Sequence, residues 1–214
     1  MPIILDHQLR EQIPYDRTAF PVSYFHDELA SLSGRASPLH WHPDFEIATA
    51  ASGVLDFQVG RQHILLEAGD SIFVNRNVLH AIRQLSGGKP DPMPNVVFSG
   101  AVISPETGAI CQKYISRQNE VNDLAKDMYR HMQERGPCYE MAVQRAISGI
   151  FEYLFTNFAD LPKSETARMH INAQIRLQKM LAYIYGHYAE TVTLEDIARA
   201  ANVGRSEAGR CFNA

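Results

Sequence analysis

The chain has 214 residues, 45% of them hydrophobic and 21% charged, with a formal net charge of −4. That is enough material for a real core in one large or two small domains, and the balance excludes a disordered chain or one that coats nucleic acid along its whole length. No apolar run is long enough to cross a bilayer and residues 1–20 lack the apolar centre of a signal peptide, so a cytoplasmic protein with no membrane association is expected.

Cys111, Cys138 and Cys211 are odd in number and widely spaced, which fits reduced thiols better than a disulfide framework. Charge is uneven along the chain. Residues 163–214 carry seven basic against five acidic residues, net +2, and the remainder 13 against 19, net −6, so any DNA contact is expected at the end.

Residues 1–20, with apolar Ile3, Ile4 and Leu5 followed by polar residues and Pro14, read as an irregular arm. From Pro21 to Val102 the sequence breaks into short apolar or alternating runs: PVSYFHD, FEIATAA, VLDFQVG, HILLEA, SIFVN, HAIRQL and NVVFSGAVI. In VLDFQV, Leu55, Phe57 and Val59 share one face and Asp56 and Gln58 the other. Gly60, Arg61 and Gln62 read as a hairpin link, and Gly87 to Pro94 as a loop. Many short strands at regular spacing predict an antiparallel barrel or sandwich.

Inside this region the run from Gly34 to Gly53 carries the chemistry. His40 and His42 alternate as on one face of a strand and Glu46 keeps their parity, so three potential ligands point inward together. Trp41, between the histidines, is expected on the opposite side. A Gly69–Asp70 turn and a strand over Ser71 to Asn75 precede a fourth candidate, His80. Three nitrogens and one carboxylate suit a divalent zinc, iron, manganese or nickel ion. The same residues also read as a hydrogen-bonded polar cluster or as part of an effector pocket, with Asp56 or Gln58 as further candidates. His7, His26, His63, His131, His170 and His187 occur singly and are assigned no role.

Gly34, His40, His42, Glu46 and Gly53 stand at the spacing of the first cupin motif, which this stretch resembles in full. The second motif is matched in part: Gly69 and His80 are in place, whereas Asn75 and Asn77 replace its proline and glycine and Gln84 its final asparagine. The resemblance implies a cupin barrel over residues 21–104.

The pattern then turns helical. Asn119 reads as the cap of a helix carrying Val121, Leu124, Met128 and Met132, stopped by Gly136 and Pro137. Tyr139 to Phe158 make a second helix with a broad apolar face, and residues 105–160 are expected to cover the barrel as a helical hairpin. The second helix has more large apolar side chains than one narrow face needs, which predicts a homodimer contact. A polar link over Leu161 to Thr166 marks the domain boundary, and a helix over Asn172 to Gly186 follows.

Thr193 and Asp196 form a capping-box pattern that opens a helix through Leu194, Ile197, Ala198 and Ala201. Asn202, Val203 and Gly204 make a turn, and a short helix begins at Arg205. This is a helix-turn-helix pattern over residues 167–214, with Arg205, Ser206, Glu207 and Arg210 positioned to meet base edges or phosphates and Phe212 behind them. Leu194, Ala198, Arg210 and Phe212, behind a cupin barrel and a helical hairpin, resemble the start of the AraC family of bacterial transcription regulators.

The fold class expected is therefore α+β: an N-terminal cupin-type antiparallel β-barrel, a helical hairpin and the first helix-turn-helix of a DNA-binding domain. The resemblance implies a ligand-responsive regulator whose barrel senses a small molecule, a sugar or an organic acid, and whose N-terminal arm moves with it. The family carries two helix-turn-helix units and this chain one, so weak DNA affinity is expected. The alternative is a cupin metalloenzyme of oxygenase or isomerase type using His40, His42, Glu46 and His80. An enzyme has no need of the helix-turn-helix, so no catalytic activity is expected.

Overall fold

Leu55, Phe57 and Val59 turn inward from strand β3 while Val54, Asp56 and Gln58 stay half-exposed, the period-two burial of a sheet with one wet face. The computed structural model describes residues 3–86, 93–102, 114–158 and 164–213. It divides into two units, Met1–Ile3 with Ile13–Leu161 and Ile4–Gln12 with Pro162–Ala214.

In the first unit the strands are β1 Val22–Asp27, β2 Phe45–Thr49, β3 Val54–Val59, β4 Gln62–Glu67, β5 Ser71–Val74, β6 His80–Ser86, β7 Met93–Phe98 and β8 Tyr114–Ser116. They form two antiparallel sheets, one in the order β1-β7-β2-β5-β8 and one in the order β4-β3-β6. Ala48, Ala50, Leu55, Phe57, Val59, Leu66, Ile72, Val74, Ile82 and Met93 pack together as the barrel core. Each apolar run named from the sequence overlaps one of β1 to β7. Strand β8 was not foreseen: it is three residues long, and its pairing with β5 is a tertiary matter that local pattern does not encode.

Helices α1 Asn119–Glu134 and α2 Tyr139–Phe158 cover the outer face of the larger sheet. Phe151 meets the rings of Phe45, Phe73 and Phe98 at centroid distances of 5.1, 5.6 and 6.1 Å. The apolar surplus on α2 that suggested a dimer contact is thus used inside the unit: Val143, Ala146, Ile147, Ile150, Phe151 and Leu154 are all buried. Asn119 is the first helical residue of α1 and not its cap. Gln118 takes the cap position without a capping side-chain bond, and Arg135, left-handed at φ 44°, ends the helix ahead of Gly136.

Polar bonds join α1 to the sheet. The Tyr129 hydroxyl donates to the Ile47 carbonyl at 3.0 Å and lies 2.9 Å from Thr49 Oγ1, which is 2.7 Å from Ser71 Oγ. The Ser71 amide donates to Asn122 Oδ1 at 2.8 Å.

The expected arm is divided. Ile4–Gln12, turned by Asp6 Oδ1 accepting from the Gln8 and Arg10 amides at 2.7 and 3.0 Å, groups with the second unit. Asp16 and Arg17 instead pair with Arg135 and Glu140 of the hairpin, each at 2.6 Å.

The second unit holds α3 Ser164–His187, α4 Leu194–Ala200 and α5 Arg205–Asn213. The start of α3 lies eight residues before Asn172, inside the stretch expected to be a link; residues 161–163 of that link, 87–92 of the expected loop and Cys111 fall outside the described residues. Thr193 and Asp196 make the capping box in full. Met180, Ala198, Ala201, Ala208 and Cys211 form the small core, with Phe212 packed against it. Among the described residues no helix is long and apolar enough to cross a membrane.

Phe151→Ala removes the ring that four aromatic contacts share, and should cost about 3–5 kcal/mol in urea unfolding. Met141→Ala, on the exposed side of the same helix, should change stability by less than about 0.5 kcal/mol.

Candidate functional site

Glu46 sits on β2, inside the larger sheet, with Val74 of β5 on one side and Val97 of β7 on the other. Being central, the strand buries both its faces, and Glu46 is 1% exposed. His40 and His42 are not on that strand, as the sequence suggested. They precede it in a segment laid along β6, where the His40 amide donates to the His80 carbonyl at 3.0 Å and the His80 amide to the His40 carbonyl at 2.9 Å. Ser37 extends the same pairing to Ile82. The His42 carbonyl is held by the Asn77 amide at 2.8 Å. Asn77 adopts φ 60°, the left-handed conformation that the motif glycine supplies and that asparagine tolerates, so this departure leaves the turn intact.

The four side chains predicted from the sequence are brought together. His40, His42 and His80 are buried, with ring centroids 4.3 Å apart for His40 and His80 and 5.1 Å for His42 and His80. One ring nitrogen from each lies within 4.8 Å of the others. Asp56 and Gln58 do not join them. They lie on the other face of β3, where Asp56 Oδ1 pairs with His63 Nδ1 at 2.9 Å and the Gln58 side-chain amide donates to the Gly60 carbonyl.

The hydrogen bonds determine which nitrogen each ring presents. His40 Nδ1 is 2.8 Å from the Pro38 carbonyl, His42 Nδ1 3.0 Å from the Asp44 carbonyl and His80 Nδ1 2.8 Å from the Val78 carbonyl. A carbonyl only accepts, so in each ring Nδ1 carries the hydrogen and Nε2 is the nitrogen left for the interior. Glu46 Oε2 then lies 3.2 Å from His42 Nε2 and 2.9 Å from His80 Nε2. The His80 approach lacks hydrogen-bond geometry, and His80 Nε2 is a buried nitrogen without a hydrogen-bond partner. Lone pairs facing a carboxylate oxygen repel unless a positive charge, either a proton or a cation, lies between them.

The charges respond accordingly. Burial works to raise the Glu46 carboxyl, but His80 and His42 beside it outweigh burial and hold it well below the usual carboxylate range. Burial pushes the His40 imidazole down to about 3, with His80 adding to the effect. The carbonyls that orient the rings were not foreseen, because backbone acceptors leave no residue-type signature. Their offset of two residues from each histidine is the signal that was there to find.

The residues proposed for DNA contact lie on α5. Arg205 and Ser206 are exposed, as is Arg210. Arg210 Nε lies 3.0 Å from Glu207 Oε2, and Glu207 Oε1 accepts from Arg176 of α3 at 2.9 Å. Glu207 is thus tied to two arginines of its own unit.

In metal-free protein His40 stays neutral to about pH 3, whereas in the unfolded chain it charges near its ordinary value. The unfolded state therefore binds more protons between these values, and stability should fall on acidification by up to about 1.4 kcal/mol per pH unit. Glu46, held low, acts with the same sign once pH drops below its ordinary carboxyl range. Urea unfolding between about pH 7 and pH 5 should show the slope in wild type and a flatter one in His40→Gln.

Comparison with known proteins agrees with this geometry. Residues 32–90 match the Cupin domain family. Over 226 aligned residues the chain is 26% identical to the uncharacterized HTH-type transcriptional regulator YdeC of Bacillus subtilis, covering 98% of this chain and 76% of that one. Among solved structures, apo ToxT from Vibrio cholerae superposes with a TM-score of 0.50 at 10% identity, covering 93% of this chain and 81% of that one, a likeness of fold. The chain thus carries a cupin domain followed by a helical hairpin and a helix-turn-helix, in that order, and is similar over nearly its whole length to a helix-turn-helix regulator.

Proposed function

We propose that the barrel of this regulator senses its effector at a divalent metal held by His40, His42, Glu46 and His80. What supports the reading is the arrangement at Glu46. Two imidazoles, each with Nδ1 already bonded to a carbonyl, aim Nε2 at one carboxylate oxygen. The donor set of three imidazole nitrogens and a carboxylate fits zinc, iron, manganese or nickel. When bound, such an ion supplies a positive centre for an oxygen of the effector, a hydroxyl or a carboxylate. The protein's own part is to hold the ring tautomers through Pro38, Asp44 and Val78, and to keep water from the site through burial.

The output lies in the second unit. Arg205 and Arg210, exposed on α5, contact phosphates or base edges, while Glu207, engaged by Arg176 and Arg210, orients the arginines more than it reads bases. A sensed molecule shifts the regulator only in so far as it binds two conformations unequally.

Protein purified without a histidine tag should carry close to one metal ion per chain by mass spectrometry, and Glu46→Gln or His42→Ala should lose it while still folding. Metal-free wild type that refuses added zinc, manganese, nickel and iron would overturn the site. Stoichiometric iron together with oxygen uptake would instead turn the reading toward catalysis. On DNA, Arg205→Ala should weaken binding and lower the salt slope by about one.

A further inference from the structure

The carbonyl that orients His42 is supported differently from the other two. His40 and His80 are bonded to each other through their backbones, and their Nδ1 acceptors, the Pro38 and Val78 carbonyls, stand two residues before each ring. The acceptor of His42 stands two residues after it, at Asp44, in the bend that joins the paired segment to β2. Residues 43 and 44 belong to no strand, so the bend must be fixed by other means.

The turn between β5 and β6 supplies them. Pro43 has no amide hydrogen, so the peptide before it can be held only by the His42 carbonyl, which takes the Asn77 amide at 2.8 Å. The peptide after it is held by Arg76, whose Nε donates to the Pro43 carbonyl at 2.7 Å. Arg76 is itself well seated. Its amide donates to Asn75 Oδ1 at 2.8 Å, an acceptor that the motif's proline at this position would not provide. Its guanidinium carbon lies 5.7 Å from the centre of the Phe45 ring, on the far side of Asp44 in the chain. Next to the guanidinium is Gly100, in a 3-10 turn after β7, where a Cβ would come 2.9 Å from Nη1 and 3.3 Å from Cζ. Arg76 thus grips the residue before Asp44 and covers the residue after it, which restricts where the Asp44 carbonyl can point.

We propose that Arg76 is a positioning residue for the metal ligand His42, acting through the Pro43 carbonyl and the bend at Asp44. The proposal rests on the metal reading of the barrel. The departures from the second cupin motif then share one use: Asn75 seats the Arg76 backbone, Asn77 holds the His42 carbonyl, and Arg76 between them holds the next. A metal site needs its imidazole aimed before the ion arrives, and the groups that aim it contribute to affinity without touching the ion.

In the full chain, metal-free and at about pH 8, the ring ¹⁵N shifts of His40, His42 and His80 report which nitrogen carries the hydrogen, and zinc affinity is read by competition with a chelating dye. Arg76→Met keeps the side-chain stem and removes the donor. It should move the His42 ring shifts, leave those of His40 and His80 as in wild type, and weaken zinc binding by at least about tenfold. Gly100→Ala, whose methyl group displaces the guanidinium, should act in the same direction and add nothing once residue 76 has lost its donor. Unmoved His42 shifts or unchanged zinc affinity in Arg76→Met, a change shared equally by all three rings, or full additivity of the two substitutions overturns the proposal. A wild type that takes up no metal removes the metal reading instead, and the ¹⁵N shifts still decide whether Arg76 sets the His42 ring.

Discussion

A buried carboxylate cornered by two imidazoles is the constraint on which the rest of the barrel turns. Each ring has given its one neutral-state hydrogen to a backbone carbonyl, so Glu46 is offered nitrogen lone pairs where it needs donors. Water cannot relieve this at a position 1% exposed. The barrel therefore tolerates the cluster only with a positive charge in it, and the same requirement makes it receptive to a cation. A polar network built merely to fill space would have alternated donors and acceptors.

The topology explains how the four residues meet. Glu46 is placed by a strand hydrogen-bonded on both sides, which leaves it no freedom of register. The histidines are placed differently, by a segment that pairs with β6 only at bridges and by an asparagine in left-handed geometry at the turn. Rigid support under the acid and looser support under the bases allow small ring adjustments around a fixed oxygen.

Much of this was written in the residue order. Short apolar or alternating runs revealed β1 to β7, and the spacing of His40, His42, Glu46 and His80 was enough to group them, since a strict offset survives whatever backbone carries it. The backbone itself was not legible. His40 and His42 look like strand residues because alternation is the same in any extended segment. The apolar excess on α2 answers Phe45, Phe73 and Phe98 on the sheet's outer side, so the count that prompted the dimer expectation is accounted for within the unit and says nothing for or against a second copy. Arg76 was invisible for a related reason. It lies 33 positions from Pro43 and, alone in its turn, is an unremarkable basic residue.

The hydroxyl relay from Ser71 through Thr49 to Tyr129 has a mechanical consequence. It fastens α1 to β2 just three residues past Glu46, and the Asn122 bond to the Ser71 amide fastens the same helix to β5. Sliding β2 by even a fraction of a residue would strip a buried phenol of both partners at once. Strand and helix are therefore tied together at this point, and a shift of the strand that carries the acid must either take the helix along or break these buried bonds.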